Sequence, residues 1–171
     1  YAVARKNIVN AIVELLARLN REKPIYVELG LQTIHDTTAK RINRGHDYET
    51  FLNGYERVKD LFTCIHIING LPGEDKEMMM ETAREVAKLH PDMLKIHLLH
   101  VLKNTAIAKE YESGLFRTLT LDEYVDITVS QIEILPDDIV LGRVTGDGER
   151  ESLISPLWSL KKLSVMNEID K

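Results

Sequence analysis

A single cysteine, Cys64, stands among 171 residues. Neither an intrachain disulfide nor a multi-cysteine metal site can form from it alone. No apolar run is long enough to span a bilayer, and no signal-peptide pattern is present. Lysine and arginine nowhere gather into a block. With a net charge of −5, the chain carries no electrostatic footprint for nucleic acid. There is no G-x-G-x-x-G, and no Lys-Ser/Thr pair follows a glycine turn, so the common phosphate-loop signatures are missing. Short-period repeats and low-complexity tracts are also absent. What remains is 44% apolar and 29% charged, the composition of a globular domain with enough length to bury a core. The expected compartment is the cytoplasm.

The chain opens at Tyr1 without a methionine and runs into a helix-like segment with no strand before it. The expectation is a fragment with something removed upstream. Ile8, Ala11, Ile12, Leu15, Leu16 and Leu19 recur at helical spacing over 7–20. Pro24 then opens a strand over 25–33. Asp36 is expected to cap a short helix closed by Gly45, and Asp47 to start another reaching about Asp60. Strands follow at 64–70, 93–100 and 138–148. Helices are expected at 73–90, around 106–111, from the T-x-x-E capping box at Thr120 to about Leu135, and over 159–169. Alternating strands and helices at this spacing predict an α/β fold of parallel βα units, open or closed into a barrel.

Side chains alternate across a strand, so each strand divides into two faces. Tyr26, Glu28, Gly30 and Gln32 share one face of the first strand. His66 stands with Cys64, Ile68 and Gly70 in the second, Lys95 with His97 in the third, and Arg143 with Thr145 in the fourth. A fully buried parallel strand reads as continuous Val/Ile/Leu. Polar groups on one face of four successive strands instead point to a polar lumen open at its C-terminal rim, or to a sheet with one hydrated face.

In "HIINGLPGED" (66–75) the second strand ends abruptly in Gly70-Leu71-Pro72-Gly73. Glu74, Asp75 and Glu77 are placed in the first turn of the next helix, where they complement its dipole and repel an anion. The turn suits bare backbone set against a neutral or zwitterionic ligand, or serves only as a tight βα connection.

Several segments together resemble one family. "YVELGLQTIHDTTAKRINRGH", "HIINGLPGED" and "KIHLLHVLKNTAIAKEYESGLF" occur in the same order in radical S-adenosylmethionine (SAM) proteins, most closely the YhcC-type Fe–S oxidoreductases. "RVTGDGERESLISPLWSL" resembles that group's ending. The broader pattern is similar to oxygen-independent coproporphyrinogen oxidase and the Elongator catalytic subunit, and covers about residues 25–170. The resemblance implies the C-terminal half of a partial (βα)6 TIM-like barrel over about 25–135, with a C-terminal extension over about 136–171. It implies an enzyme that uses a [4Fe–4S] cluster on three cysteines to cleave SAM reductively to a 5′-deoxyadenosyl radical. One cysteine cannot ligate such a cluster, so the expectation is an inactive half with neither cofactor nor metal bound to it. The missing half of the barrel would be its partner, and an exposed edge would favour self-association. An RNA substrate is left open, since the other half would carry any basic surface.

By position, Gln32 resembles the family residue near the SAM ribose, and Arg44 the one that pairs with the SAM carboxylate, an acceptor that suits guanidinium. Gly70, Leu71 and Pro72 correspond to the turn whose backbone passes the adenine. His66 stands where coproporphyrinogen oxidases carry an aspartate at the same site. Glu28, Lys95, His97, Arg143 and Thr145 form a candidate substrate pocket, and the cations among them hint at an anionic or nucleotide-like group. Asp147 joins Arg143 and Thr145, either in that pocket or in a salt-bridged turn.

Each residue also has a plainer reading. Gln32 and Glu28 satisfy each other, Arg44 complements a helix dipole, and His66 is a hydrogen-bonded core histidine. Cys64 is a small buried hydrophobe, and Met78–Met80 is helix packing surface. His97 and His100 fall on opposite faces of a strand and make a poor metal pair. Two other classes stay open: an unrelated βα-barrel enzyme doing acid/base chemistry with Glu28, Lys95 and His97, and a non-catalytic α/β binding module.

Overall fold

A computed structural model describes residues 2–146 and 148–171, with side chains from residue 11 onward. The side chain of Ile8 and all of Asp147 lie outside the described residues. The order of elements is α1 (Ala2–Leu19), β1 (Tyr26–Gln32), α2 (Asp36–Arg41), α3 (Tyr48–Tyr55), β2 (Phe62–Asn69), α4 (Lys76–Leu89) and β3 (Met93–Leu98). Then come β4 (Val101–Leu102), α5 (Ala106–Glu112), α6 (Leu121–Glu133), β5 (Val140–Arg143), β6 (Leu153–Ser155), a 3-10 turn (Leu157–Leu160) and α7 (Lys162–Ile169).

Short polar side chains set most helix starts by accepting a backbone N–H that has no partner inside the helix. Asp47 accepts from Thr50 N, Asp75 from Met78 N and Thr105 from Ala108 N. Thr120 and Glu123 complete the expected capping box. Asp36 does not cap. It is the first helical residue, and its carboxylate accepts from Tyr48 N at 2.9 Å, tying α2 to α3. The α2 exit turns left-handed at Asn43 (φ 55°) before Gly45 (φ 81°). α3 stops at Tyr55, short of Asp60.

The sheet is parallel, in the order β1-β2-β3-β5. One face carries the core: Leu31, Ile65, Ile67, Leu94 and Ile96 pack against Phe51, Tyr55, Val86 and Ile139. Burial alternates residue by residue along β3, as period-two patterning requires. At the C-terminal end of β2, Asn69 and Gln131 exchange amide hydrogen bonds of 2.8 and 3.0 Å, and Gln131 also donates to Met79 O at 3.0 Å. Asn69 and Gln131 are at most 1% exposed, so this pair pins β2, α4 and α6 together inside the core.

The expected fourth strand over 138–148 is shorter than its pattern. β5 ends at Arg143, after a register shift against Leu94/Lys95 at Gly142, and the chain then bends away. A small antiparallel pair, β4–β6, was not expected; its two- and three-residue strands are too short for a periodic signal. α7, Trp158 and Tyr124 form a second cluster with Leu98 and Val165 that seats the C-terminal segment. Among the described residues no strand pairs with the outer edge of β1, and Ile12, Leu15 and Leu19 of α1 stay exposed. No described helix is long and apolar enough to cross a membrane.

Candidate functional site

The register brings the polar residues of separate strands side by side. Gly30 pairs with His66, His66 with Lys95, and Lys95 with Arg143, giving one row across four strands. Glu28 accepts from Lys95 Nζ at 2.6 Å, and its second oxygen lies 2.7 Å from His66 Nε2. Glu28 therefore serves two other strands and not Gln32. The imidazole of His66 stacks on that of His97, with centroids 5.1 Å apart.

These contacts set the charges. The Lys95 hydrogen bond holds the Glu28 carboxyl below its usual range. Burial lowers His66 despite the neighbouring carboxylate. His97 is pushed down to about 4, first by burial and then by the positive charges of His66, Arg143, Lys95 and His100. At neutral pH the face thus presents a carboxylate, two cations and two uncharged imidazoles. Cys64, on the same face of β2 as His66, is fully buried, which bears out its reading as a small hydrophobe.

A second group forms at the end of β1. A bulge between Gly30 and Gln32 and a left-handed backbone at Gln32 (φ 71°) re-aim that side chain. A methyl group at Gly30 would stand 2.5 Å from Gln32 Nε2 and 2.8 Å from Arg44 Nη2. Arg44 Nη2 donates to the Gly30 carbonyl, while Arg44 Nε is buried without a partner. Beside them a depression of about 230 Å³ is lined by Glu28, Gly30, Arg44, His46, Thr50 and Phe51, among others. Arg44 is thus folded onto a strand and is not a free helix-end charge.

The turn after β2 is built as its sequence demands. Gly70 and Gly73 are left-handed (φ 83° and 89°), and Glu74 N bonds back to Leu71 O, closing a turn with Pro72 and Gly73 at its centre. A methyl at Gly70 would meet Leu119 at 3.2 Å. Leu71 and Pro72 are buried. Glu74 is not in the first turn of α4, which starts at Lys76. It is partly buried and accepts from Thr33 Oγ1 at 2.5 Å, with its carboxyl raised by that burial. It links the end of β1 to the turn after β2, a role its sequence position did not signal.

Of the residues singled out from sequence, Gln32 and Arg44 converge on Gly30, and Glu28, His66, Lys95 and His97 form one contact network with Arg143 alongside. Thr145 is 1% exposed and its hydroxyl has no partner. Gly30 itself was passed over, although a bare position between Glu28 and Gln32 was the available signal. His100, weighed from sequence only as a poor metal pair with His97, packs its ring beside Gly146 and Gly148. Among the described residues no group of His, Cys, Asp and Glu is arranged to hold a metal ion.

Comparison with known proteins agrees with this architecture. The family model described as the Radical SAM superfamily matches residues 7–86, and that of the Radical SAM C-terminal domain matches residues 91–171. The uncharacterised protein YtqA of Bacillus subtilis is 46% identical over 94% of this chain and 50% of its own length. Protein YhcC of Escherichia coli is 33% identical over 95% of this chain and 53% of its own length. The chain therefore spans about half the length of the curated relatives it matches. The solved structure of archaeal Elp3 from Methanocaldococcus infernus superimposes with a TM-score of 0.74 at 25% identity, over 85% of this chain and 35% of that one. The four-stranded parallel sheet is part of a radical SAM (βα) barrel, and the chain belongs to the radical SAM superfamily, with similarity to its YhcC-type members.

Proposed function

We propose that this chain is the SAM-holding and substrate-facing part of a radical SAM enzyme whose [4Fe–4S] cluster is ligated by cysteines outside it. The observation that carries this is the convergence of Gln32 and Arg44 on bare Gly30. Arg44 keeps a buried N–H without a partner there, which fits a carboxylate of the kind SAM's methionine end presents. The turn at Gly70-Leu71-Pro72 is assigned to the adenine side of SAM by its position in the family pattern, with its left-handed Gly70 packed against Leu119. The cluster does not fit these residues, because there is one cysteine and it is fully buried.

Bound SAM would supply hydrogen-abstracting radical chemistry, the electron for its reductive cleavage coming from the [4Fe–4S] cluster held by cysteines outside this chain. The chain's own residues orient and shield. Arg44 and Gln32 fix one end of SAM, and Glu74 ties their strand to the adenine-side turn through Thr33. Glu28, Lys95, His97, Arg143 and Thr145 face the substrate. The unpaired edge of β1 and the exposed apolar stripe of α1 take the rest of the barrel. The barrel runs from about residue 25 through β5, past the boundary expected at about 135, the rest of the chain to 171 is its C-terminal extension, and the enzyme works in the cytoplasm.

Equilibrium binding of SAM to the whole protein tests the assignment. Arg44→Ala weakens binding roughly tenfold or more, the loss expected of one charge-assisted hydrogen-bonded pair. Unchanged affinity contradicts it.

A further inference from the structure

Two polar atoms on the polar face are buried without a hydrogen-bond partner: His97 Nε2 and Thr145 Oγ1. Folded chains seldom leave such atoms unpaired unless something outside the chain completes them. Their placement is not accidental. β3 and β5 run parallel with Lys95 opposite Arg143; His97 lies two residues past Lys95 within β3, and Thr145 two residues past Arg143, in the segment that leaves β5. The segment carrying Thr145 is held down by its neighbours. A methyl at Gly146 would stand 2.8 Å from the His100 ring and one at Gly148 3.4 Å from it, while His100 Nε2 lies 3.2 Å from the buried Ser159 Oγ. Thr145 is thereby kept 1% exposed with its hydroxyl unused.

The titratable groups facing His97 come from every neighbouring strand: the cations Lys95 on β3 and Arg143 on β5, and the imidazoles of His66 on β2 and of His100 just beyond β3. Glu28 on β1 supplies an acid, already shared between Lys95 and His66. We propose that His97 and Thr145, flanked by Lys95 and Arg143, form a subsite for an anionic oxygen group of the substrate, a carboxylate or a tetrahedral oxyanion. The inference rests on reading the polar face as the substrate side of a radical SAM barrel, and it adds the substrate's chemical class. Thr145 donates its hydroxyl to the anion, and His97 presents Nε2 to it. His97 is held neutral first by burial and then by the groups around it; a bound anion offsets the second cause, and binding takes up a proton at His97.

Calorimetry of the whole protein with sulfate, and separately with formate, tests this. Titrations run at about pH 5.5, between the lowered His97 value of about 4 and the ordinary imidazole 6.5, in two buffers of different ionisation heat. The expected result is binding of one or both anions with net proton uptake, weakened roughly tenfold by Thr145→Val and retained by Thr145→Ser. The uptake disappears in His97→Gln. The better-bound probe names the class, oxyanion or carboxylate. Absence of binding, binding without proton uptake, or binding indifferent to Thr145→Val while Thr145→Ser stays folded overturns the subsite. SAM binding on the same samples separates the two readings. Intact SAM binding with no anion site removes only the subsite, whereas an anion site without SAM binding supports the subsite and removes the radical reading.

Discussion

Glu28 and Lys95 lie 67 residues apart and on strands separated by β2, yet their charged groups meet at 2.6 Å across the face of the sheet. His66, on the strand between, closes the bridge from the other carboxylate oxygen. A single side chain on β1 therefore opposes the burial that lowers the imidazole of His66 on β2.

Glu28→Gln removes the carboxylate that opposes the burial of His66. Burial already lowers that imidazole, so without the carboxylate it titrates lower still. NMR titration of the His66 ring reads the shift directly, and an upward movement contradicts the bridge.

His97 makes the folded chain sensitive to acid. Its folded value of about 4 lies below the ordinary 6.5, so the unfolded chain binds more protons between those values. The associated stability is complete above about pH 6.5 and is lost as pH falls toward 4. It amounts to on the order of 3 kcal/mol at most for a shift of that size. His66 is lowered too and acts in the same direction. Denaturant unfolding across this range shows the loss, and His97→Gln flattens its part; an unchanged slope contradicts the assignment.

Gly30→Ala is a sharper probe of the β1 terminus than its size implies. The new methyl would sit 2.5 Å from Gln32 Nε2 and 2.8 Å from Arg44 Nη2, so both side chains must move. SAM affinity falls roughly tenfold or more, while far-UV circular dichroism stays that of the folded protein. Retained affinity contradicts the convergence on Gly30.

The Asn69–Gln131 pair is a structural lock. Replacing either residue with Leu leaves the side-chain amide oxygen of the other buried without its partner, costing about 1–3 kcal/mol. Replacing both costs less than the sum of the single changes. A double-mutant cycle by denaturation measures this, and strict additivity contradicts the lock.

The alternating βα order, the two faces of each strand and the caps at Asp47 and Thr120 were legible because each depends on local spacing, whereas Asp75, placed in the first turn of its helix, is the cap of α4. The convergence on Gly30 was only half legible. Gln32 and Arg44 stood out through their resemblance to a family, while the glycine that admits them becomes visible only when the bulge re-aims Gln32. Asp36 misled because its carboxylate is used by Tyr48, twelve residues on. Glu74 misled because its partner Thr33 is 41 residues back. The strand expected to reach residue 148 stops at Arg143, where the pairing with β3 ends and His100 packs against the glycines beyond. In each case tertiary contact decided what local pattern left open.

The central claim is that these residues serve reductive cleavage of SAM. The most direct measurement is on the whole protein, purified without oxygen, supplied with iron and sulfide, and reduced in the presence of SAM. The account predicts about four iron atoms per chain, release of 5′-deoxyadenosine detected by mass spectrometry, and loss of that product in Arg44→Ala. A whole protein that takes up no iron and releases no 5′-deoxyadenosine contradicts it, and would leave the polar face to ordinary acid/base chemistry.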